Sequence, residues 1–196
     1  MSGPRRLLTG AGSLSGMPSA EGNLIWKPLA ECLDMVAPPV AAAASQVAGA
    51  RVAEIDETLA DTAAFCEAYD VALEASANCV VVFGRRGEDT VHAAVMVLAT
   101  DKADVNKTVR KELGMRKMSF ADQPTVEELT GMTQGGITPV GLPEDWPILI
   151  DEAVVAAGPV VIGGGVRGSK ILVDGAELAS LPGARVLPLV LPAATA

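Results

Sequence analysis

The sequence is poor in aromatic residues, with three Phe, two Trp and one Tyr among 196 positions. So few rings exclude a base-stacking platform of the kind that grips single-stranded nucleic acid. They leave the core to Val, Leu, Ile, Ala and Met. Histidine occurs once, and the three cysteines, Cys32, Cys66 and Cys79, are far apart with no C-x-x-C pair. Neither a zinc site nor a disulfide framework fits that usage. No metal and no cofactor is expected, and thiols left unpaired point to a reducing, cytoplasmic compartment. No apolar run approaches the length of a membrane span, so a membrane partner is not expected. Positive charge is also scarce. The net charge of −9 sets a field that repels phosphate. DNA is therefore not expected as a partner, and any RNA contact needs a local basic patch.

What remains is 49% hydrophobic and 20% charged, enough for a real core. The length suits one compact domain with an N-terminal addition. Residues 1–22 are rich in Gly, Ser and Pro and read as a disordered tail. Arg5-Arg6 resembles the start of a twin-arginine signal, but no apolar segment follows. Residues 23–60 read as an extension packed on the domain. Within it, Trp26 to Ala48 looks helical in two pieces, with Pro38-Pro39 as a break, and Arg51 to Asp56 alternates like a strand. Residues 61–190 form the main domain.

In that domain Asp61 opens a helix to Tyr69. The β-branched run Asn78 to Phe83 and the segment Thr90 to Ala99 make a hairpin across Gly84 to Asp89. Asp104 caps a helix to Leu113, Arg116 to Phe120 is a strand, and Asp122 with Pro124 starts a helix ended by Gly131. Pro147 to Ile150, Val160 to Ile162 and Ser169 to Val173 are short strands, and Asp174 caps a last helix. Helices and strands mix irregularly and hairpins recur. The expected fold class is α+β: a mixed, largely antiparallel sheet or partial barrel flanked by helices.

Two glycine-rich segments stand out. Gly163-Gly164-Gly165-Val166-Arg167-Gly168 spells G-x-G-x-x-G, but a strand follows it where a dinucleotide site needs a helix, and Ser169-Lys170 reverses the P-loop order. It reads either as a plain glycine hairpin or as a hairpin whose amides and Arg167 line a pocket. Gly135-Gly136-Ile137-Thr138-Pro139 lies in a long connection from Gly131 to Pro147, with apolar Ile137, Val140, Leu142 and Trp146 that argue against disorder. Paired glycines there can aim successive amides at one acceptor, as in an oxyanion hole, or can simply form a turn packed under the sheet. In the first case a Cβ at Gly136 would intrude on the bound group. Lys107, Arg110 and Lys111 share a helix face, near Lys102, Arg116 and Lys117. They are candidates for an RNA backbone footprint, or a solvated face. His92 and Cys79 sit in strands and read as structural. Asp151 ends a strand, where it either caps the next helix or reaches the pocket.

From about Asp61 to Val186 the ordered set of these pieces resembles the YbaK/prolyl-tRNA synthetase-associated domain family, which edits aminoacyl-tRNA. The set runs through the Thr62 to Tyr69 helix, the Asn78 to Phe83 strand, His92 to Ala99, Leu113-Gly114 and Glu128-Leu129-Thr130-Gly131. It continues with Gly135 to Gly141, Leu149-Ile150-Asp151 and Gly163 to Gly168. The resemblance implies hydrolysis of the ester between a wrong amino acid and the terminal ribose of tRNA. It implies that the Gly135 to Pro139 loop lines the aminoacyl pocket and that the glycine hairpin borders it. Well-known members carry a lysine near the start of the first hairpin strand. Asn78 stands at that position here, and Asn donates and accepts hydrogen bonds without charge.

On this reading Asn78, Gly135 and Gly136 are the catalytic set. Ile137, Thr138, Pro139, Asp151, Gly163, Gly164, Gly165 and Arg167 bind substrate. The expected partner is the acceptor end of an aminoacyl-tRNA, and the resemblance also admits an aminoacyl-tRNA synthetase. Two alternatives stay open: a binding protein that kept the pocket without hydrolysis, and a hydrolase of a small aminoacyl or nucleotide compound. The sequence carries no signal for an oligomeric state.

Overall fold

The computed structural model describes residues 19–190. Two open sheets make up the fold. One has four strands in the order β1 (Lys27–Pro28), β2 (Arg51–Glu54), β8 (Ser169–Asp174) and β7 (Pro159–Gly163), all antiparallel. The other has five, in the order β5 (Lys117–Phe120), β3 (Ala77–Arg86), β4 (Asp89–Leu98), β6 (Ile148–Asp151) and β9 (Ala184–Leu187). The long β3–β4 hairpin and the β3–β5 pair are antiparallel, whereas β4–β6 and β6–β9 are parallel. The α+β class with mixed sheets and flanking helices is as expected. Neither sheet closes into a barrel.

Strand alternation explains the layering. Ile162 and Ile171 of the first sheet join Ala94, Met96, Ile148 and Ile150 of the second in one continuous core. The intervening residues point the other way. Val161 and Leu172 pack under Phe65 and Cys66 of α2 (Thr62–Tyr69). Val82, Val95 and Leu149 pack under Val105 and Val109. Each sheet is thus apolar on both faces, which is why the strands read as unbroken apolar runs.

Several local expectations need correction. Pro38 and Pro39 do not break a helix; they begin α1 (Pro38–Ala43), where a missing N–H costs nothing. The rest of 26–48 is three 3₁₀ turns and the short strand β1 rather than two helices. Asp104 does cap the next helical segment, but Val105–Val109 is a π turn before α3 (Arg110–Glu112), with the Val109 amide bonded to the Asp104 carbonyl at 3.0 Å. The α4 helix (Gln123–Thr130) ends on Gly131 at φ 66°, a left-handed cap as the sequence suggests. Two further short helices, α5 (Glu152–Ala156) and α6 (Gly175–Leu178), begin at Asp151 and Asp174 caps. Strand β9 is an addition to the expected elements.

Segment 23–60 supplies β2 to the middle of a sheet and Leu29, Val40 and Val52 to the main core. Residues 1–18 of the expected tail lie outside the described residues. Ser19 is already tied down: its carbonyl accepts from the Ala72 amide at 3.0 Å.

Candidate functional site

The two glycine segments lie against each other. The Gly165 amide donates to the Gly136 carbonyl at 2.7 Å, and the Thr133 amide donates to the Gly165 carbonyl at 2.9 Å. A Cβ on Gly136 would meet the Val166 backbone at 2.6 Å, so only glycine allows this approach. Beside the seam, where the head of β3 meets β7 through a Ser76–Val161 bridge, lies a cavity of about 280 Å³. Its walls are Ser76 to Val80 of the β3 entry, Val161 to Gly163 of β7, the turn at Ala60 to Thr62, the loop residues Gln134, Gly135 and Ile137, and Lys170 of β8. An adjoining apolar cleft of about 210 Å³ shares Val80, Gln134 and Ile137 with it and is rimmed by the exposed ring of Phe120.

The structure brings Asn78, Gly135, Ile137 and Gly163 together at this cavity. The Asn78 Oδ1 accepts from Thr62 Oγ1 at 2.7 Å, while its Nδ2 has no partner among the described residues. Gly135 has φ 85°, and its amide is likewise unbonded among them. Gly136 departs from expectation: it is buried behind the lining, and its amide is committed to the Thr133 carbonyl at 2.9 Å. Thr138 and Pro139 are buried outside the lining, because the loop turns inward after Ile137. Gly164 packs on Ser169 and Gly165 on Ala37, so neither faces the cavity. Asp151 does not reach it. Its two oxygens accept from the Ala153 amide at 2.9 Å and the Leu189 amide at 2.7 Å, which fixes it as a cap.

Arg167 reaches across the outside of the seam. Its Nε donates to the Glu57 carbonyl at 3.1 Å and its Nη1 to the Gln134 carbonyl at 3.2 Å, with Asp61 Oδ1 at 3.7 Å. Lys170, which sequence reasoning missed, runs beneath it. Its Nζ donates to the Ala60 carbonyl at 2.8 Å and the Gly135 carbonyl at 3.3 Å, and lies 5.1 Å from the centre of the Phe65 ring. Both cations of the β7–β8 hairpin therefore tie the same two loops. The one signal in the sequence was a lysine inside an otherwise apolar strand, Ser169-Lys170-Ile171-Leu172. Burial holds the Lys170 ammonium down to a pKa of about 8.

Cys79 also lines the cavity, but burial pushes its thiol up to about 12, which removes it as a nucleophile at neutral pH. His92 is held between the rings of Phe83 and Trp146, each 5.0 Å away, as a packing residue. Among the described residues no group of three or more His, Cys, Asp or Glu could hold a metal, and no helix is long and apolar enough to cross a membrane.

The sequence profile of the aminoacyl-tRNA editing domain matches residues 56–181, well over half of the chain. The chain belongs to the aminoacyl-tRNA editing domain family. The matched stretch holds every wall of the cavity. Solved structures share the fold of this editing domain. A candidate trans-editing enzyme for prolyl tRNA synthetase superposes with a TM-score of 0.67 at 23% identity, over 80% of this chain and 99% of that one. A hypothetical protein, APE2540, gives 0.65 at 21% identity, over 72% of this chain and 91% of that one.

Away from the cavity, Arg110 stands with Arg85, Arg116 and Lys117 around a groove of about 530 Å³ beside the edge strand β5. Lys107 and Lys111 are exposed on the same helical segment but outside the groove lining. Among the described residues none of these cations forms a salt bridge.

Proposed function

We propose that this protein removes an amino acid from mischarged tRNA. The observation that carries the reading is the cavity itself, an aminoacyl-sized space walled by backbone and small side chains in an editing-domain fold. At about 280 Å³ it falls just below the usual range for small-molecule sites, so it suits an aminoacyl group and not a whole nucleotide.

In the reaction a water oxygen bonds to the ester carbonyl carbon, and the carbonyl oxygen takes up negative charge. The ester C–O bond then breaks. A water proton passes to the departing ribose oxygen, which leaves free amino acid and tRNA. Two lining residues carry donors without a partner among the described residues, the Gly135 amide and Asn78 Nδ2. They are suited to the developing oxyanion, where one such donor typically lowers the barrier by about 3 kcal/mol. Ile137, Val80 and Cys79 set the size limit on the side chain, which discriminates well against bulk and poorly against one methylene. The Arg85, Arg110, Arg116 and Lys117 groove, with Lys107 and Lys111 beside it, supplies the basic patch that an acidic protein needs to hold a tRNA backbone.

The test is deacylation of a panel of tRNAs mischarged with small and large amino acids. Release of a subset of small ones above the buffer rate supports the reading, and release of none overturns it. A second reading, a binding protein without hydrolysis, draws on the lack of a histidine or thiolate at the cavity: His92 is stacked away and Cys79 stays protonated, which leaves the exposed Asp61, paired with Arg167, as the one carboxylate in the lining. It predicts tight binding of aminoacyl ligands with no turnover on the same panel.

A further inference from the structure

We infer that Lys170 supplies the positive charge of this site, presenting an ammonium N–H to the oxygen of the aminoacyl group in the cavity. The inference deepens the deacylase reading and rests on the same cavity. Lys170 lies in the apolar run of β8, with only 7% of its surface exposed, and its end reaches the cavity wall. No carboxylate among the described residues lies within salt-bridge distance of it. Taking an ammonium out of water without an ion partner is costly, and a fold keeps such a group only where its surroundings repay it. Two backbone carbonyls repay part of that cost. An ammonium has three N–H donors, and the Ala60 and Gly135 carbonyls take two. The third has no hydrogen-bond acceptor among the described residues, and the Phe65 ring centre lies 5.1 Å from Nζ.

The competing account is that Lys170 merely clamps the two loops. Arg167 already performs that task, on the carbonyls of Glu57 and Gln134 in the same two loops and from the same hairpin. A neutral donor would also suffice for clamping, whereas a desolvated charge is what strengthens an interaction with a developing oxyanion. The titratable and charged groups that face Lys170 are Cys66 on α2, Asp61 before that helix and Arg167 on the hairpin. Asp61 pairs with Arg167 at 3.7 Å and forms no salt bridge with Lys170; its charge favours the ammonium, but burial outweighs it. Because burial lowers the ammonium to about 8, its charge is lost within the pH range in which tRNA esters can be assayed.

The experiment measures single-turnover deacylation from pH 6.5 to 9 on the tRNA panel, with spontaneous hydrolysis subtracted, for wild type, Lys170→Gln and Lys170→Arg. The wild-type rate should fall as pH rises through about 8. Lys170→Gln should lose roughly tenfold or more at pH 7 with its melting temperature held. Lys170→Arg, charged throughout, should keep a measurable rate and lose the alkaline fall. A folded Lys170→Gln with wild-type rate and profile overturns the inference. So does a wild-type rate that rises through pH 8, the mark of a neutral amine acting as base, and so does a Lys170→Arg profile that still falls. If wild type cleaves nothing on the panel, the deacylase reading fails. Lys170 is then judged on binding of amide-linked aminoacyl-adenosines by calorimetry. Binding that weakens roughly tenfold in Lys170→Gln and as pH rises through about 8 supports the inference. Equal binding, or none by wild type, overturns it.

Discussion

Gly163 rests against Gly136 so closely that a Cβ at position 163 would lie 2.6 Å from the Gly136 carbonyl carbon. These two residues, 27 apart in sequence, join the long loop to the β7–β8 hairpin and fix where the cavity wall stands. Glycine at both positions is a packing requirement of the seam.

Gly136→Val should therefore act on stability and not simply obstruct the ligand. Its side chain meets the Val166 backbone, which cannot move aside as a flexible side chain would. Overpacking of this kind costs about 1–3 kcal/mol. Urea unfolding should show the loss. A variant as stable as wild type but unable to bind ligand would instead put Gly136 on the cavity surface.

Thr62→Val should release the Asn78 side chain. The Thr62 hydroxyl donates to Asn78 Oδ1 at 2.7 Å and so fixes the orientation of this side-chain amide at the cavity wall. Removing it should cost about 1 kcal/mol of stability and lower turnover per folded molecule, and Asn78→Ala should lower turnover further. Asn78→Lys should place a second cation in a cavity that already holds Lys170, and like charge should depress the Lys170 ammonium further. Turnover and melting temperature measured on the same preparations separate a role at the site from a role in holding the strand end.

The stability of the fold should rise with pH above about 8 through Lys170. The folded state holds this ammonium at about 8, against 10.5 when unfolded. Between those values the unfolded chain binds more protons, so deprotonation favours the fold; below about 8 both states are protonated and the burial penalty is fully present. Urea midpoints at pH 7 and 9.5 should show wild type gaining stability relative to Lys170→Met. A parallel change in both proteins would mean that Lys170 titrates normally.

Arg116→Ala combined with Lys117→Ala should weaken tRNA binding without unfolding the protein. Both side chains are exposed at the β5 groove. Each cation that pairs with a phosphate contributes about 1 to the slope of log affinity against log salt, so the double variant should show a shallower slope. An unchanged slope would take the groove out of the footprint.

Asp151→Asn should destabilise the junction of β6, α5 and the segment after β9. Its carboxylate accepts from Ala153 and from the buried Leu189 amide, and an amide side chain can replace only part of that. A loss of about 1–3 kcal/mol with turnover per folded molecule intact is the expected pair of results. Loss of turnover in a fully stable variant would return Asp151 to the site.

Local chemistry made much of the fold legible in the sequence. Runs such as Cys79-Val80-Val81-Val82 become strands because branched side chains suit a pleated sheet buried on both faces. Asp104, Asp122 and Asp174 start helices because each carboxylate reaches amides two to four residues ahead. The order of these pieces with the two glycine segments also carried the family. Tertiary structure alone decided which groups of those segments face the cavity. Gly135 and Gly136 are neighbours of one kind, yet the Thr133 carbonyl takes the Gly136 amide, while that of Gly135 has no partner among the described residues. Lys170 becomes part of the site only because β8 lies under the Ala60 turn and the Gly135 loop, 110 and 35 residues away. The parallel placing of β6 and β9 beside β4 was equally invisible. Helix caps and strand propensity act over a few neighbouring residues. A cavity is made by backbones distant in sequence, whose contacts form only when the whole chain has packed.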